Sequence, residues 1–245
     1  MTEVTIEPAP GGSRALRGYR AQPLGHGPWP GVVVIHELFG LTDQIRRHAD
    51  RLAGAGYLAL APDLFTEGGA LRCIVSTMRT LSAGHGRAVT DIDAARRHLL
   101  ADPDCSGRIG IIGFCMGGGF ALLMAGGEHA FDAASVNYGQ LPREPERVLR
   151  GGCPVVGSFG GRDVSLPGAA ERLDGVLDDL GTDHDVREYP RAGHSFLNDE
   201  YFGPGVLHPL QRVGGLGPEP LAAADAWSRI EAFFARHLTQ GAASG

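Results

Sequence analysis

Arg108-Ile109-Gly110-Ile111-Ile112-Gly113-Phe114-Cys115-Met116-Gly117-Gly118 is the stretch that decides how this chain folds. An apolar run ends at a glycine-flanked cysteine and passes into a helix-like segment, the pattern of a strand that turns sharply into a helix. A side chain at the tip of such a turn sits in a strained backbone conformation, so the residues two before and two after it must be small. Gly113 and Gly117 leave that room. The turn also sets the sulfur at a helix start, where free N–H groups and the positive end of the dipole favour the thiolate, the reactive form. Because 38 of the 245 residues are glycine, Gly-x-Cys-x-Gly alone leaves a catalytic and a structural cysteine equally open.

Two downstream motifs supply partners. Gly160-Gly161-Arg162-Asp163 follows the apolar run Pro154–Phe159, and Ala192-Gly193-His194-Ser195-Phe196 follows the strand-like Val186-Arg187-Glu188-Tyr189. The order nucleophile, acid, histidine is that of the α/β-hydrolase triad, and each member falls just past an expected strand, where open α/β sheets place their sites. In this reading His194 takes the thiol proton and later activates water, while Asp163 holds the imidazole tautomer and stabilises its charged form. Taken singly, Asp163 also reads as the N-cap of a helix beginning near Pro167, and His194 as a turn histidine satisfied by backbone groups. The three placements together favour the triad.

Upstream, Gly31-Val32-Val33-Val34-Ile35 runs into His36-Glu37-Leu38-Phe39-Gly40. The segment after this strand supplies one backbone donor of an oxyanion hole and the residue after the nucleophile supplies the other, here the amides of Leu38 and Met116. A zinc-binding His-Glu-x-x-His helix would require histidine at position 40, which is glycine, so no metal is expected. Glu37 reads either as a second base for the thiol or as a solvent-exposed carboxylate at the end of a strand.

Ile35–Gly40, Ala61-Pro62-Asp63-Leu64-Phe65, Gly113–Gly118, Gly161-Arg162-Asp163 and Ala192–Phe196 together resemble the dienelactone hydrolase (carboxymethylenebutenolidase) family over residues 14 to 238. The separations, 48 residues from Cys115 to Asp163 and 31 from Asp163 to His194, are similar to the family's. The resemblance implies an α/β-hydrolase fold, a mostly parallel sheet with helices on both faces, and cleavage of a lactone or ester by Cys115, His194 and Asp163 through a thioester, without a cofactor. It further implies that Glu37 holds the thiol at rest and activates it when substrate binds. Two family arginines recognise a substrate carboxylate. One position is Asn198 here; the other falls in the lid-like segment, where Arg72 and Arg79 are the candidates, and Arg191 is a further cation for an acidic substrate. A general esterase or thioesterase is the alternative enzyme, and a thiol sensor or binding module without turnover the alternative class.

Composition fits these expectations. A net charge of −6 with no basic block offers no footprint for nucleic acid or an anionic membrane. All 22 cationic side chains are arginine, which excludes Schiff-base, pyridoxal-linked and phosphate-loop lysine chemistry. Neither a leader-like start nor a membrane-length apolar run stands out, so the expected home is the cytoplasm and the expected partner a small-molecule substrate, with the chain a monomer or small homo-oligomer. Cys73, Cys105 and Cys153 lack the spacing of a zinc or disulfide framework; Cys105 and Cys153 read as structural, and Cys73 as packed or lining a pocket.

Strands are expected near 15–21, 31–36, 57–61, 108–113, 131–137, 154–160 and 185–189, and helices over 41–55, 89–100, 169–180 and 222–238. This alternation predicts one α/β domain over 1–245. Residues 66–87 are expected to form a lid over the crevice, 203–220 a long loop, and 239–245 a loose tail.

Overall fold

A computed structural model describes residues 2–202, 206, 208–213 and 215–239, without the side chains of 70–72, 210, 212 and 213. Its frame is an eight-stranded sheet: β1 (Thr2–Thr5), β2 (Arg17–Ala21), β3 (Trp29–Ile35), β4 (Leu58–Pro62), β5 (Cys105–Phe114), β6 (Ala133–Asn137), β7 (Val155–Gly160) and β8 (His184–Tyr189). The spatial order is β1-β2-β4-β3-β5-β6-β7-β8, with β1 and β2 antiparallel at one edge and β3 to β8 all parallel. The chain runs from β3 outward to β4 and then returns to the other side of β3 to lay down β5. The order reverses there, and the gap beyond the carboxyl ends of β3 and β5 is where an open parallel sheet accepts a ligand.

Alternation along β3 shows why these strands are central. Val33 and Ile35 face one core and Val32 and Val34 the other, all fully buried, because a parallel strand covered on both faces has no solvent side. Helices α1 (Asp43–Gly54) and α8 (Pro220–Phe234) cover one face with Ile45, Leu52, Trp227, Ile230 and Phe234. On the opposite face lie α2 (Gly69–Ala83), α3 (Arg87–Leu100), α4 (Met116–Met124) and α6 (Ala169–Leu180), which bring Cys73, Ile92, Leu99, Phe120, Leu173 and Leu177. The short α5 (Pro145–Val148) and α7 (His208–Val213) sit in connections. Every residue of α4 is buried, as a helix apolar on all sides must be.

All seven expected strands are present, with shifted ends. Thr2–Thr5 adds an edge strand that its short polar sequence did not announce, made by pairing with β2. The loop expected over 203–220 contains α7, and α8 begins at Pro220, whose fixed φ suits a first helical turn. The last expected helix continues through a π-helical turn, Ala235–Thr239; of the tail expected from 239, residues 240–245 lie outside the described residues. Among the described residues no helix is long and apolar enough to cross a membrane.

Candidate active site

Parallel register brings five strand ends to one edge. Ile35 pairs with Gly113, Phe114 with Asn137, Asn137 with Ser158 and Gly160 with Tyr189, so the segments that follow β3, β5, β6, β7 and β8 emerge side by side.

Cys115 lies between β5 and α4 at φ 56° and ψ −117°, a left-handed conformation for a residue with a side chain. Such a conformation costs about 1–3 kcal/mol and persists only where its surroundings over-determine it. Here they do. A Cβ on Gly113 would lie 1.8 Å from the Gly117 carbonyl oxygen, and one on Gly117 2.3 Å from that of Ile35. The Cys115 amide donates to the Asn137 carbonyl at 3.1 Å, and Asn137 Nδ2 donates back to the Gly113 carbonyl at 3.2 Å. Cys115 is partly exposed, whereas Cys73 is packed in the core, and burial pushes the Cys153 thiol up to about 12 and that of Cys105 upward.

On the β7–β8 side, His194 Nδ1 donates to Asp163 Oδ2 at 2.6 Å. Burial opposes a charge on His194, yet its hydrogen bonds to Asp163 and Cys115 raise it to about 10. Burial likewise opposes a charge on Asp163, but donation from His194 and Ser165 overcomes it and holds the carboxyl below its ordinary value. Asp163 does not cap α6, whose N-cap is Gly168; its Oδ1 accepts instead from the amide and hydroxyl of Ser165. Nor is His194 a turn histidine satisfied by backbone alone, since its ring is held by Asp163 while its backbone pairs with Gly215 and Gly217. The segment expected as a mere loop therefore braces the histidine.

On the β3 side, Glu37 is not the solvent-exposed strand-end carboxylate that its sequence also allowed. It is 2% exposed and accepts from Ser195 Oγ at 3.2 Å and from Asn198 Nδ2 at 3.3 and 3.2 Å. Burial raises Glu37 to about 7, against the pull of those two donors and of the His194 charge. Behind Asn198 stands His48, which burial pushes down to about 4.

His36 has both ring nitrogens occupied: Nδ1 donates to the Glu37 carbonyl at 2.7 Å, and Nε2 accepts from the Leu64 amide at 3.1 Å. Full burial lowers its pKa, so it stays neutral. In a trans peptide the carbonyl and the following N–H point in opposite directions, so a tethered Glu37 carbonyl fixes the direction of the Leu38 amide. Among the described residues neither the Leu38 nor the Met116 amide donates to a protein acceptor.

The arginines expected to meet substrate are Arg72, Arg79 and Arg191. Arg79 is exposed on α2 and lines a cavity of about 780 Å³ with Ile74, Met78, Leu81, Gln140 and Leu141; Gly119, four residues beyond Cys115, forms part of its wall. The Arg72 side chain lies outside the described residues. Arg191 is exposed and lines a separate cavity of about 370 Å³ with Arg162 and Tyr201. Sequence reasoning passed over Tyr138, whose buried ring lies 5.1 Å from that of His194. The signal available was Asn137-Tyr138-Gly139, a polar pair and a glycine closing an apolar strand at the same sheet edge as the other site residues.

A parallel sheet with this reversal of order, carrying a strained residue between strand and helix and an Asp–His pair past later strands, is the architecture of the α/β-hydrolases. Within that class, the model of the dienelactone hydrolase family matches residues 16–238, and the chain belongs to that family. Two similar proteins bear the name "Putative carboxymethylenebutenolidase". One, from Methylorubrum extorquens, is 31% identical over 91% of this chain and 77% of its own length; the other, from Yersinia pestis, is 32% identical over 91% and 84%. The crystal structure of a "Putative Dienelactone Hydrolase" from Klebsiella pneumoniae superposes with a TM-score of 0.75 at 27% identity, covering 96% of this chain and 98% of that one. The protein is thus a carboxylic ester hydrolase of the dienelactone hydrolase type.

Proposed function

We propose that the protein cleaves an uncharged lactone or ester by a Cys-His-Asp mechanism with a thioester intermediate. The observation that carries this reading is the elbow: a partly exposed Cys115 at φ 56°, beside a His194 that Asp163 holds at 2.6 Å. The Cys115 thiolate attacks the carbonyl carbon, and the Leu38 and Met116 amides stabilise the resulting oxyanion. The C–O bond breaks, the departing oxygen takes its proton from the His194 imidazolium, and the acyl group stays on sulfur. Water then attacks the thioester with neutral His194 as base, and the thiolate leaves. Asp163 keeps Nδ1 protonated throughout. Glu37, buried and poised near neutrality, is the second base that readies the thiol when substrate displaces water.

Asn198 decides the substrate's charge. It stands where the resemblance implies an arginine, and its amide is already engaged by Glu37, so this position offers no cation to a substrate carboxylate. Segment 66–87 contributes α2, which in this reading acts as the lid and gives the acyl group its apolar wall through Ile74, Met78 and Leu81.

The test is a panel of neutral and carboxylated lactones and esters with wild type and Cys115→Ala, together with mass spectrometry after mixing with p-nitrophenyl acetate. Wild type should hydrolyse the neutral compounds and carry an acetyl group on Cys115, while Cys115→Ala should lose at least about 10³-fold in kcat/KM. Full activity in Cys115→Ala would overturn the mechanism; preference for the carboxylated compounds would overturn the substrate assignment.

A further inference from the structure

β3 is aliphatic from Val32 to Ile35, and the residue that follows it, His36, is as deeply buried as they are, at 0% exposure. An aliphatic side chain would fill that space without the loss of solvation that two ring nitrogens suffer, so the reason for an imidazole here lies in what its nitrogens hold. Both hold main chain. A carbonyl can only accept and an amide can only donate, so Nδ1, 2.7 Å from the Glu37 carbonyl, carries the proton, and Nε2, 3.1 Å from the Leu64 amide, carries the lone pair. Burial keeps the ring uncharged against the pull of the Glu37 carbonyl and the Asp63 charge, and Phe65 meets it edge-on with ring centroids 4.7 Å apart.

The far end of this strut is itself anchored. The Leu64 carbonyl accepts from Arg87 Nη2 at 3.2 Å, and Arg87 Nη1 donates to Ser13 Oγ at 2.7 Å. Ser13 in turn donates to the buried Asp91 carboxylate from its amide and its hydroxyl, both at 2.7 Å. The near end is a tight turn, Glu37 to Gly40, closed by the Gly40 amide on the Glu37 carbonyl at 3.3 Å. One hydrogen bond of that length leaves the first peptide of the turn free to tilt, and the shorter bond from His36 to the same carbonyl removes that freedom. The Glu37 carbonyl and the Leu38 N–H share one trans peptide plane, so fixing the first aims the second.

We propose that His36 is a positioning residue for the oxyanion site: it holds the Glu37–Leu38 peptide plane so that the Leu38 amide faces the reacting carbonyl oxygen. The assignment rests on the Cys115 mechanism above, in which that amide stabilises the oxyanion. His36 touches no substrate and exchanges no proton. Its effect on rate passes through one backbone carbonyl.

Two substitutions divide the ring's work. In His36→Asn the amide nitrogen stands near the place of Nδ1 and still donates to the Glu37 carbonyl; in His36→Gln the longer amide reaches the place of Nε2 and serves only the Leu64 amide. His36→Gln should lower kcat/KM on p-nitrophenyl acetate about 10- to 100-fold and weaken a trifluoromethyl ketone, whose thiohemiketal oxyanion needs the same donor, by a similar factor. His36→Asn should stay within about fivefold of wild type on both, and alkylation of Cys115 by iodoacetamide, which forms no oxyanion, within about twofold in either variant. A His36→Gln kcat/KM within about twofold of wild type would overturn the proposal, as would a loss in His36→Asn as large as that in His36→Gln, or a parallel loss of alkylation. Wild type supplies a readout that needs no variant to fold: nitrogen NMR of labelled histidine should show the Nδ1–H tautomer of His36 from about pH 5 to about pH 9, and an Nε2–H tautomer or a charged ring in that range would also overturn it. Cys115→Ala keeps the outcomes separate: retained activity there refutes the nucleophile, whereas an unchanged His36→Gln beside an inactive Cys115→Ala refutes only the role of His36.

Discussion

The two flanks of Cys115 each bury a carboxylate, and the two behave oppositely. Asp163, after β7, is held below its ordinary value; Glu37, after β3, is raised to about 7. Both pay a desolvation penalty, and Glu37 is the more deeply buried. Asp163 faces an imidazole at 2.6 Å as well as two donors from Ser165, and an opposite charge in a low-dielectric setting outweighs burial. Glu37 has only the neutral donors Ser195 and Asn198 in direct contact, and these reduce the penalty without cancelling it. One flank is thus a fixed charge that orients a histidine, and the other a carboxyl poised near neutrality that the proposed mechanism uses as a base. Depth and the identity of the partner together separate them.

The largest expected effect breaks the fixed-charge flank. Asp163→Asn should lower kcat on the order of 10³- to 10⁴-fold, because an amide can neither stabilise the imidazolium nor enforce the Nδ1–H tautomer. Steady-state kinetics checks the loss, and NMR titration should show His194 moving down from about 10 toward its ordinary 6.5.

Glu37→Gln tests the titrating flank through both rate and stability. Activity should fall about 10- to 100-fold, and the acidic limb of the kcat/KM profile near pH 7 should vanish. Stability should change in the other direction. Glu37 titrates at 4.5 when unfolded and near 7 when folded, so between those values the folded chain binds more protons and wild type loses stability as pH rises. The variant should escape that loss, gaining up to about 3 kcal/mol over wild type at pH 8 and nothing below pH 4, as urea unfolding at both pH values would show.

The smallest effect is the most specific. Asn198→Ala removes a donor that pulls Glu37 downward, so the acidic limb should move up by about half to one pH unit while kcat at high pH stays within a few-fold. A limb that does not move would mean that a different group titrates there.

Much of this was legible in the sequence because it is local. Gly113 is required by the Gly117 carbonyl within one strand–turn–helix unit, while Gly117 also makes room for the Ile35 carbonyl of β3, and continuous apolar runs such as Val32–Ile35 announce doubly covered strands. The strand-end positions of Asp163 and His194 followed from the same patterns. What escaped depends on distant partners. Thr2–Thr5 is a strand only because β2 lies beside it, and α7 sits in a glycine- and proline-rich stretch where no periodicity stands out. Nothing near Tyr138 in sequence says that its ring packs beside that of His194.

The order of Cys115, Asp163 and His194, the turn that displays the cysteine, and the family to which the chain belongs are all determined by the sequence itself, since each is written in short motifs. The tertiary structure alone decided the state of those groups. Glu37 is buried rather than solvated because Asn198, 161 residues away, closes over it, and its proton affinity follows from that burial. Protonation depends on dielectric and on through-space partners, and both exist only once the sheet has brought the strand ends together.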